Sequence, residues 1–368
     1  MKVALIKLGS RISISSSGTS GGTGEALSII KMLNIAGVEV DAYTKVLDKD
    51  EKPSYFNIYN IEDSYKNIDG YDSLIVLNGN VNYFGGLDDP SQTLNYYIIN
   101  HFKGPVYYIM CDCNLLLKQI WPSIEKKKWA SNYSREDIFI TRKDIKYVSQ
   151  ARFTHKVKEK ACKQGIDIED VIYYPTEKFP LITLEDLDFN DCPEYDLLYG
   201  GTFRGGKRED DMIKYYFGHS EEFKVGMFGN ISYDNFKKEK IQNLSAPVFE
   251  KSVSYSEFSN KMRESAATVI IGDPLYKSWG NLAQRIYESI RVGNVVLIDS
   301  NYDFTKRVFS SKDLQEFNYV SSRFDVEDRL RKLRDSSFRK DLLTSQRECT
   351  IINKYKYCSD FASIIGGK

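Results

Sequence analysis

Apolar positions along this chain come in short bursts separated by longer amphipathic stretches. In the first half, the β-branched and aromatic runs KVALIKLG (2–9), VEVDAYT (38–44), SLIVLN (73–78), PVYYIMC (105–111) and IKYVSQ (145–150) alternate with helical segments such as Glu25–Ala36 and Thr93–Phe102. That alternation predicts a parallel sheet with crossover helices. A second series repeats it: YDLLYGG (195–201), FKVGMFG (223–229), APVFEK (246–251), ATVIIGD (267–273) and NVVLIDS (294–300). Between the two lies YYPTEKFPLITLEDLDFNDCPEYD (173–196), rich in proline and acids, which reads as a linker.

The fold class expected is therefore α/β, with two Rossmann-like doubly wound domains facing a cleft. Their bounds are 1–175 and 196–350, with a linker over 176–195 and a C-terminal helix over 351–368 that packs back on the first domain. Ligands of such sheets sit at the carboxyl ends of strands. Three segments fall at those ends: the Ser/Gly/Thr loop GSRISISSSGTSGGTGE (9–25), Asp112 after PVYYIMC, and LLYGGTFRGGKRED (197–210).

The last of these sets two glycine pairs around an arginine, just before a helix. Bare backbone lets N–H groups approach an oxyanion, and a helix start adds positive potential, so Arg204, Lys207 and Arg208 beside those glycines suit a phosphate. Gly201 to Lys207 fits G-x-x-x-x-G-K, but the next residue is Arg208 where a P-loop needs a Ser or Thr hydroxyl for magnesium. A diphosphate clamp fits better than a nucleotidase. The same residue types also suit a flexible hairpin with solvated charges. Further on, in GNLAQRIYESIRVGNVVLID (280–299), Arg285 and Glu288 share a helix face. They suit a diphosphate and a ribose respectively, or simply each other.

Composition narrows the classes. With 368 residues, 42% hydrophobic and 28% charged, the chain is long enough for two ordinary globular cores. Lys plus Arg equals Asp plus Glu at 51 each, so no global field attracts nucleic acid. Local runs such as EKKKW (125–129), FKKEK (236–240) and RLRKLR (329–334) are candidate phosphate contacts or solvated faces. Six scattered cysteines suggest neither a disulfide framework nor zinc, and three histidines without a nucleophile motif argue against triad hydrolysis. No apolar run approaches membrane-spanning length, and MKVALIKLGS breaks too early for a secretory segment, so a cytoplasmic protein is expected.

LIVLNGNVNYFGG (74–86), PVYYIMCD (105–112), YGGTFRGGKRE (199–209), IIGD (270–273), the downstream Arg-x-x-Glu and LID (297–299) together resemble the T-even phage DNA β-glucosyltransferase family in order and spacing across nearly the whole chain. The resemblance implies a glycosyltransferase B fold. It also implies inverting transfer of a sugar from a UDP-sugar to 5-hydroxymethylcytosine in double-stranded DNA, with magnesium or manganese assisting, by a monomer in the infected cell. Position by position it places Arg204, Arg208 and Arg285 on the diphosphate with Thr202 beside them, Glu288 on the ribose, and Gly201, Val253 and Tyr276 along the nucleoside. Glu25 matches a carboxylate contacting the donor sugar and Asp112 the catalytic base. Asn82, Tyr83, Phe84 and Gly85 fall at the DNA and flipped base, where an aromatic suits stacking on an extruded nucleotide. The metal ligands are not identified. A same-fold enzyme acting on a small molecule or saccharide, and a non-catalytic binding module, are the competing classes. The loop Ser10–Gly24 is longer here than the family pattern; it either reshapes the sugar pocket, which would favour a pentose such as arabinose over glucose, or bulges into solvent and leaves a glucose pocket unchanged.

Overall fold

Strands made almost wholly of aliphatic and aromatic residues must bury both faces, which a parallel sheet between helices achieves. The computed structural model describes residues 1–7, 12, 20–45, 54–77, 90–110, 141–149, 159, 162, 172–173, 189–272, 283, 285–303, 306, 308–309, 311–351 and 354–366. The chain divides into two compact units, Met1–Pro175 with Tyr355–Lys368, and Thr176–Lys354.

In the first unit, β1 (Lys2–Lys7), β2 (Glu39–Thr44), β3 (Asn57–Asn60), β4 (Ser73–Leu77), β5 (Val106–Met110), β6 (Lys146–Ser149) and β7 (Ile172–Tyr173) form one sheet in the order β3-β2-β1-β4-β5-β6-β7. Every pairing is parallel. Leu5 at its centre stands between Ala42 and Ile75, and all of β4 is buried. The helix Lys354–Gly366 buries Cys358, Phe361 and Ile365, and its end lies against Met1: a Cβ on Gly366 would stand 3.2 Å from the Met1 sulfur.

In the second unit, β8 (Tyr195–Thr202), β9 (Val225–Asn230), β10 (Val248–Glu250), β11 (Ser265–Ile270), β12 (Val295–Asp299) and β13 (Tyr319–Val320) run β10-β9-β8-β11-β12-β13, again all parallel. The order reverses between β8 and β11, and in the first sheet between β1 and β4. Such reversals open a crevice at the carboxyl ends, where ligands bind. Residues ahead of β8 are tied to this unit. Arg339 Nη2 donates to the carbonyls of Asn190 (2.7 Å) and Asp191 (3.0 Å), and Asn190 Nδ2 donates to the Arg263 carbonyl (3.1 Å). Among the described residues, no helix is long and apolar enough to cross a membrane.

Three strands escape the apolar pattern: β3, β7 and β13. Each has two to four residues at or near a sheet edge, too short to show a rhythm. The first crossover helix also begins earlier than expected, at Ser20 rather than Glu25, and takes five residues of the supposed loop. Burial of Ala26, Ile29, Ile30 and Leu33 supplies the packing that offsets the weak helix propensity of Ser, Gly and Thr.

A buried polar knot fastens the first sheet near its amino edge. The Asp41 carboxylate, 1% exposed, accepts from Tyr71 Oη (2.5 Å) and Asn57 Nδ2 (2.8 Å) and pairs with Lys2 Nζ (3.1 Å). Burial pushes its pKa up, but the hydrogen bonds from Tyr71, Asn57 and Lys2 outweigh burial and hold it below the usual carboxylate range. A depressed folded pKa contributes stability that is present above the unfolded value, about 3.9, and is lost as pH falls through the folded value. Asp41→Asn should cost about 1–3 kcal/mol at neutral pH, because an amide nitrogen then faces either Asn57 in place of Oδ1 or Tyr71 and Lys2 in place of Oδ2. In urea unfolding the gap to wild type should shrink in acid, and a gap independent of pH would show that the charge is not responsible.

Candidate active site

The carboxyl end of β8 lies at the switch point of the second sheet, and its glycines explain how other groups reach it. A Cβ on Gly200 would stand 2.7 Å from the Phe228 ring and 2.8 Å from the Phe258 ring. On the adjacent strand, Gly229 has φ +117°, and a Cβ there would come within 2.1 Å of the Gly201 carbonyl oxygen. The backbone is thus left bare where it meets the loop. Thr202 at the strand's end and Arg204 on that loop are exposed, and Arg204 has no partner among the described residues. Arg208 is half-buried, with Nη2 3.4 Å from Tyr199 Oη.

Gly206 starts the following helix, Lys207–Tyr216, with φ +71° and ψ −138°. Its surroundings are open, with nothing within 4 Å of a Cβ, so glycine is required there by backbone conformation rather than by space. Lys207, expected among the anion-binding cations, instead places Nζ 2.7 Å from Asp211 Oδ1 one turn on. That hydrogen bond raises the Lys207 pKa, while burial raises that of Asp211 despite the lysine. The acids of the first turn are engaged on the far side: Glu209 accepts the Lys237 N–H (2.9 Å), and Asp210 pairs with Lys240 (2.6 Å). They therefore do not neutralise Arg204 and Arg208.

The second cationic element is the helix Arg285–Arg291, only seven residues long and fixed from both ends. Ahead of it, the Tyr302 hydroxyl accepts the Ala283 N–H (2.6 Å), while the same ring lies against Gly272, leaving no room for a Cβ. Behind it, buried Arg347 donates from Nε to the Ile290 carbonyl (3.1 Å) and from Nη2 to that of Arg291 (2.7 Å), filling acceptors a helix end leaves open. Arg285 and Glu288 do share a face and pair with each other, Nη1 to Oε2 at 3.0 Å. The Nη1 hydrogens are not in line with the carboxylate, so the contact is ionic and Nη1 makes no hydrogen bond among the described residues.

Arg285 and the end of β8 are brought together by a residue that the sequence pattern did not single out. The Arg285 guanidinium lies over the Phe258 ring, 3.7 Å from its centre, and that ring also meets Gly200 and Phe228. Val253 packs on the same cluster. Gly201, Thr202, Val253, Arg285 and Glu288 are thereby gathered at one end of the sheet, with Arg204 on the loop directly beyond and Arg208 in the first turn of the helix that follows. Asp112, Asn82, Tyr83, Phe84, Gly85 and Tyr276 lie outside the described residues, and Glu25 is described only as part of its helix. Among the described residues, no group of three or more His, Cys, Asp or Glu side chains could hold a metal ion.

EKKKW (125–129) lies outside the described residues, and the described basic runs have mostly local duties. Arg331 and Arg334 pair with Glu222 at 2.9 and 3.1 Å, Arg329 and Lys332 pair with Asp328, and Lys240 serves the helix acids. These are compensated faces rather than a continuous phosphate-binding stripe.

Two parallel doubly wound units, the second with a glycine-arginine loop at its switch point, define a glycosyltransferase of the B fold. Residues 1–180 match the family model described as Bacteriophage T4 beta-glucosyltransferase. The chain is 28% identical over 364 residues to the DNA beta-glucosyltransferase of Enterobacteria phage T4, covering 96% of this chain and 95% of that one. The solved T4 phage enzyme with UDP and Mn2+ superposes with a TM-score of 0.73 at 26% identity, and a mutant of it with UDP-glucose with 0.72 at 25%, each over 99% of both chains. Residues 1–180 thus carry the pattern of that family, and nearly the whole chain is similar to the T4 phage DNA beta-glucosyltransferase.

Gly206 and Gly229 should separate conformational from steric cost. Gly206→Ala should lose about 1–2 kcal/mol, the strain of a left-handed φ in open space. Gly229→Ala adds a backbone collision and should lose more. Urea unfolding of both would check the order, and equal losses would mean that the Gly201–Gly229 approach is soft.

Proposed function

We propose that this chain is an inverting glycosyltransferase that moves a sugar from a UDP-sugar to the hydroxymethyl group of 5-hydroxymethylcytosine in double-stranded phage DNA, acting as a monomer in the infected cell. The observation that carries this is the glycine-arginine loop at the β8 end, joined through Phe258 to Arg285, in a chain that aligns nearly end to end with a DNA glucosyltransferase. The first unit would receive DNA and the second the nucleotide.

The donor fits the residues as follows. Arg204, Arg208 and Arg285 would hold the diphosphate with the Thr202 hydroxyl, and bare backbone at Gly201 would allow close approach. Val253 and Tyr276 would line the nucleoside, and Glu288 would accept the ribose hydroxyls in exchange for Arg285. Glu25 would contact the sugar. Asp112 would take the hydroxymethyl proton as that oxygen attacks the anomeric carbon. The bond to the UDP oxygen then breaks with inversion, and the arginines stabilise charge on the departing diphosphate. Asn82, Tyr83, Phe84 and Gly85 would hold DNA around the extruded base.

A related enzyme has been solved with UDP and Mn2+, and a divalent ion bound to the diphosphate would lower the charge on the leaving group. The described residues offer such an ion no carboxylate cluster, so they contribute cations to the diphosphate and no ligand set. The sugar is glucose or a pentose such as arabinose. With the helix starting at Ser20, the chain available to reshape the sugar pocket is shorter than the sequence suggested.

Incubating the protein with hydroxymethylated or plain duplex DNA and a panel of UDP-sugars, then weighing the nucleosides, tests the function. A hexosyl or pentosyl adduct only on the hydroxymethylated duplex is expected, and UDP release to saccharides alone would give the acceptor to a different chemistry. In that assay Asp112→Asn should keep UDP affinity and lose at least about a hundredfold in transfer. Near-normal turnover would move the base elsewhere, with Glu25 next in line.

Arg204→Ala or Arg208→Ala should weaken UDP by about 1.5–3 kcal/mol, the worth of a hydrogen bond to a charged group, while leaving uridine nearly unchanged. Titration calorimetry with both ligands reads the difference. Equal losses would take the loop off the phosphates.

A further inference from the structure

The helix Tyr255–Arg263 opens on a capping box, in which Ser254 Oγ accepts the Glu257 N–H (3.3 Å) and Glu257 Oε2 accepts the Ser254 N–H (3.0 Å). Its one-turn register fixes Phe258, 7% exposed, in the space that Gly200 leaves open beside Phe228, with ring centres 5.2 Å apart. The ring cannot move toward β8 without meeting backbone. The Arg285 guanidinium lies over the same ring, with Cζ 3.7 Å from its centre.

Among the described residues Arg285 therefore has two holders, this ring and Glu288, and they differ in kind. Glu288 holds by charge, at 3.0 Å and out of line, and the same carboxylate is assigned to the ribose. Once it turns to ribose hydroxyls, its claim on Arg285 is lost. The ring uses none of the guanidinium's N–H groups. It fixes a plane and leaves the edge donors for an anion, whereas a long side chain without it would have to be ordered at the moment of binding.

We propose that Phe258 is a positioning residue of the diphosphate site, presenting Arg285 edge-on to the donor when Glu288 is drawn to the ribose. This rests on the assignment of Arg285 and Glu288 to the donor nucleotide. Phe258 acts through Arg285 and touches no reacting atom.

The test measures UDP and uridine binding by calorimetry in the full chain carrying Phe258→Met, which keeps volume but has no π face, and Phe258→Tyr, which keeps the ring. Phe258→Met should weaken UDP about tenfold, within the range of a desolvated cation–π contact, with uridine little changed. Phe258→Tyr should bind UDP close to wild type. Phe258→Leu replaces the Met variant if that one fails to fold. Unchanged UDP binding, or equal losses of UDP and uridine, overturns the proposal. Arg285→Ala, run alongside, separates the two levels. If it too fails to discriminate UDP from uridine, the nucleotide assignment falls and the proposal with it. If it discriminates and Phe258→Met does not, the positioning role alone falls.

Discussion

The second unit is organised around the absence of side chains at the carboxyl end of β8. Gly200 makes room for two aromatic rings, and the Gly201 carbonyl meets Gly229 at a distance no Cβ would permit. From this clearance the rest follows. One ring reaches the strand, a guanidinium lies on that ring, and the helix that carries the guanidinium is drawn to the switch point. A single methyl group at Gly200 would have to displace Phe228 and Phe258 together, and every later contact in the chain of packing with them.

A seven-residue helix has little stability of its own, so its placement depends on tertiary anchors. Tyr302 and Arg347 come from distant parts of the sequence and hold its two ends, one by accepting an N–H and the other by donating to carbonyls. Charge is managed in the same distributed way. Acids near the loop are engaged by Lys207, Lys240 and the Lys237 N–H, which leaves Arg204 exposed and Arg208 beside a tyrosine hydroxyl.

What the sequence disclosed was what repeats locally. Ten strands announced themselves because each is a run of β-branched or aromatic residues. β3, β7 and β13 did not, because two to four residues carry no period. The glycine-arginine loop was legible as a motif, and so were the shared face of Arg285 and Glu288 and the pair they form. The Lys207–Asp211 spacing was a readable ion-pair signal that the phosphate argument passed over. Phe258 and Tyr302 had no local signal, since each matters only through a partner remote in sequence. Asp112, Glu25 and the Asn82–Gly85 loop were reached by family resemblance, which aligns positions where periodicity is silent.

The division of the chain bears on how the molecule is made. The first unit needs both Met1–Pro175 and Tyr355–Lys368, and the whole second unit is encoded between them. Synthesis from the amino terminus therefore delivers Arg347 and the helix it anchors before the piece carrying Phe361 and Ile365 exists. The later-encoded unit can be finished first, while the earlier one waits on the ribosome with part of its core uncovered. An incomplete chain would expose apolar surface in the first unit, so cellular quality control would bear on that unit rather than on the second.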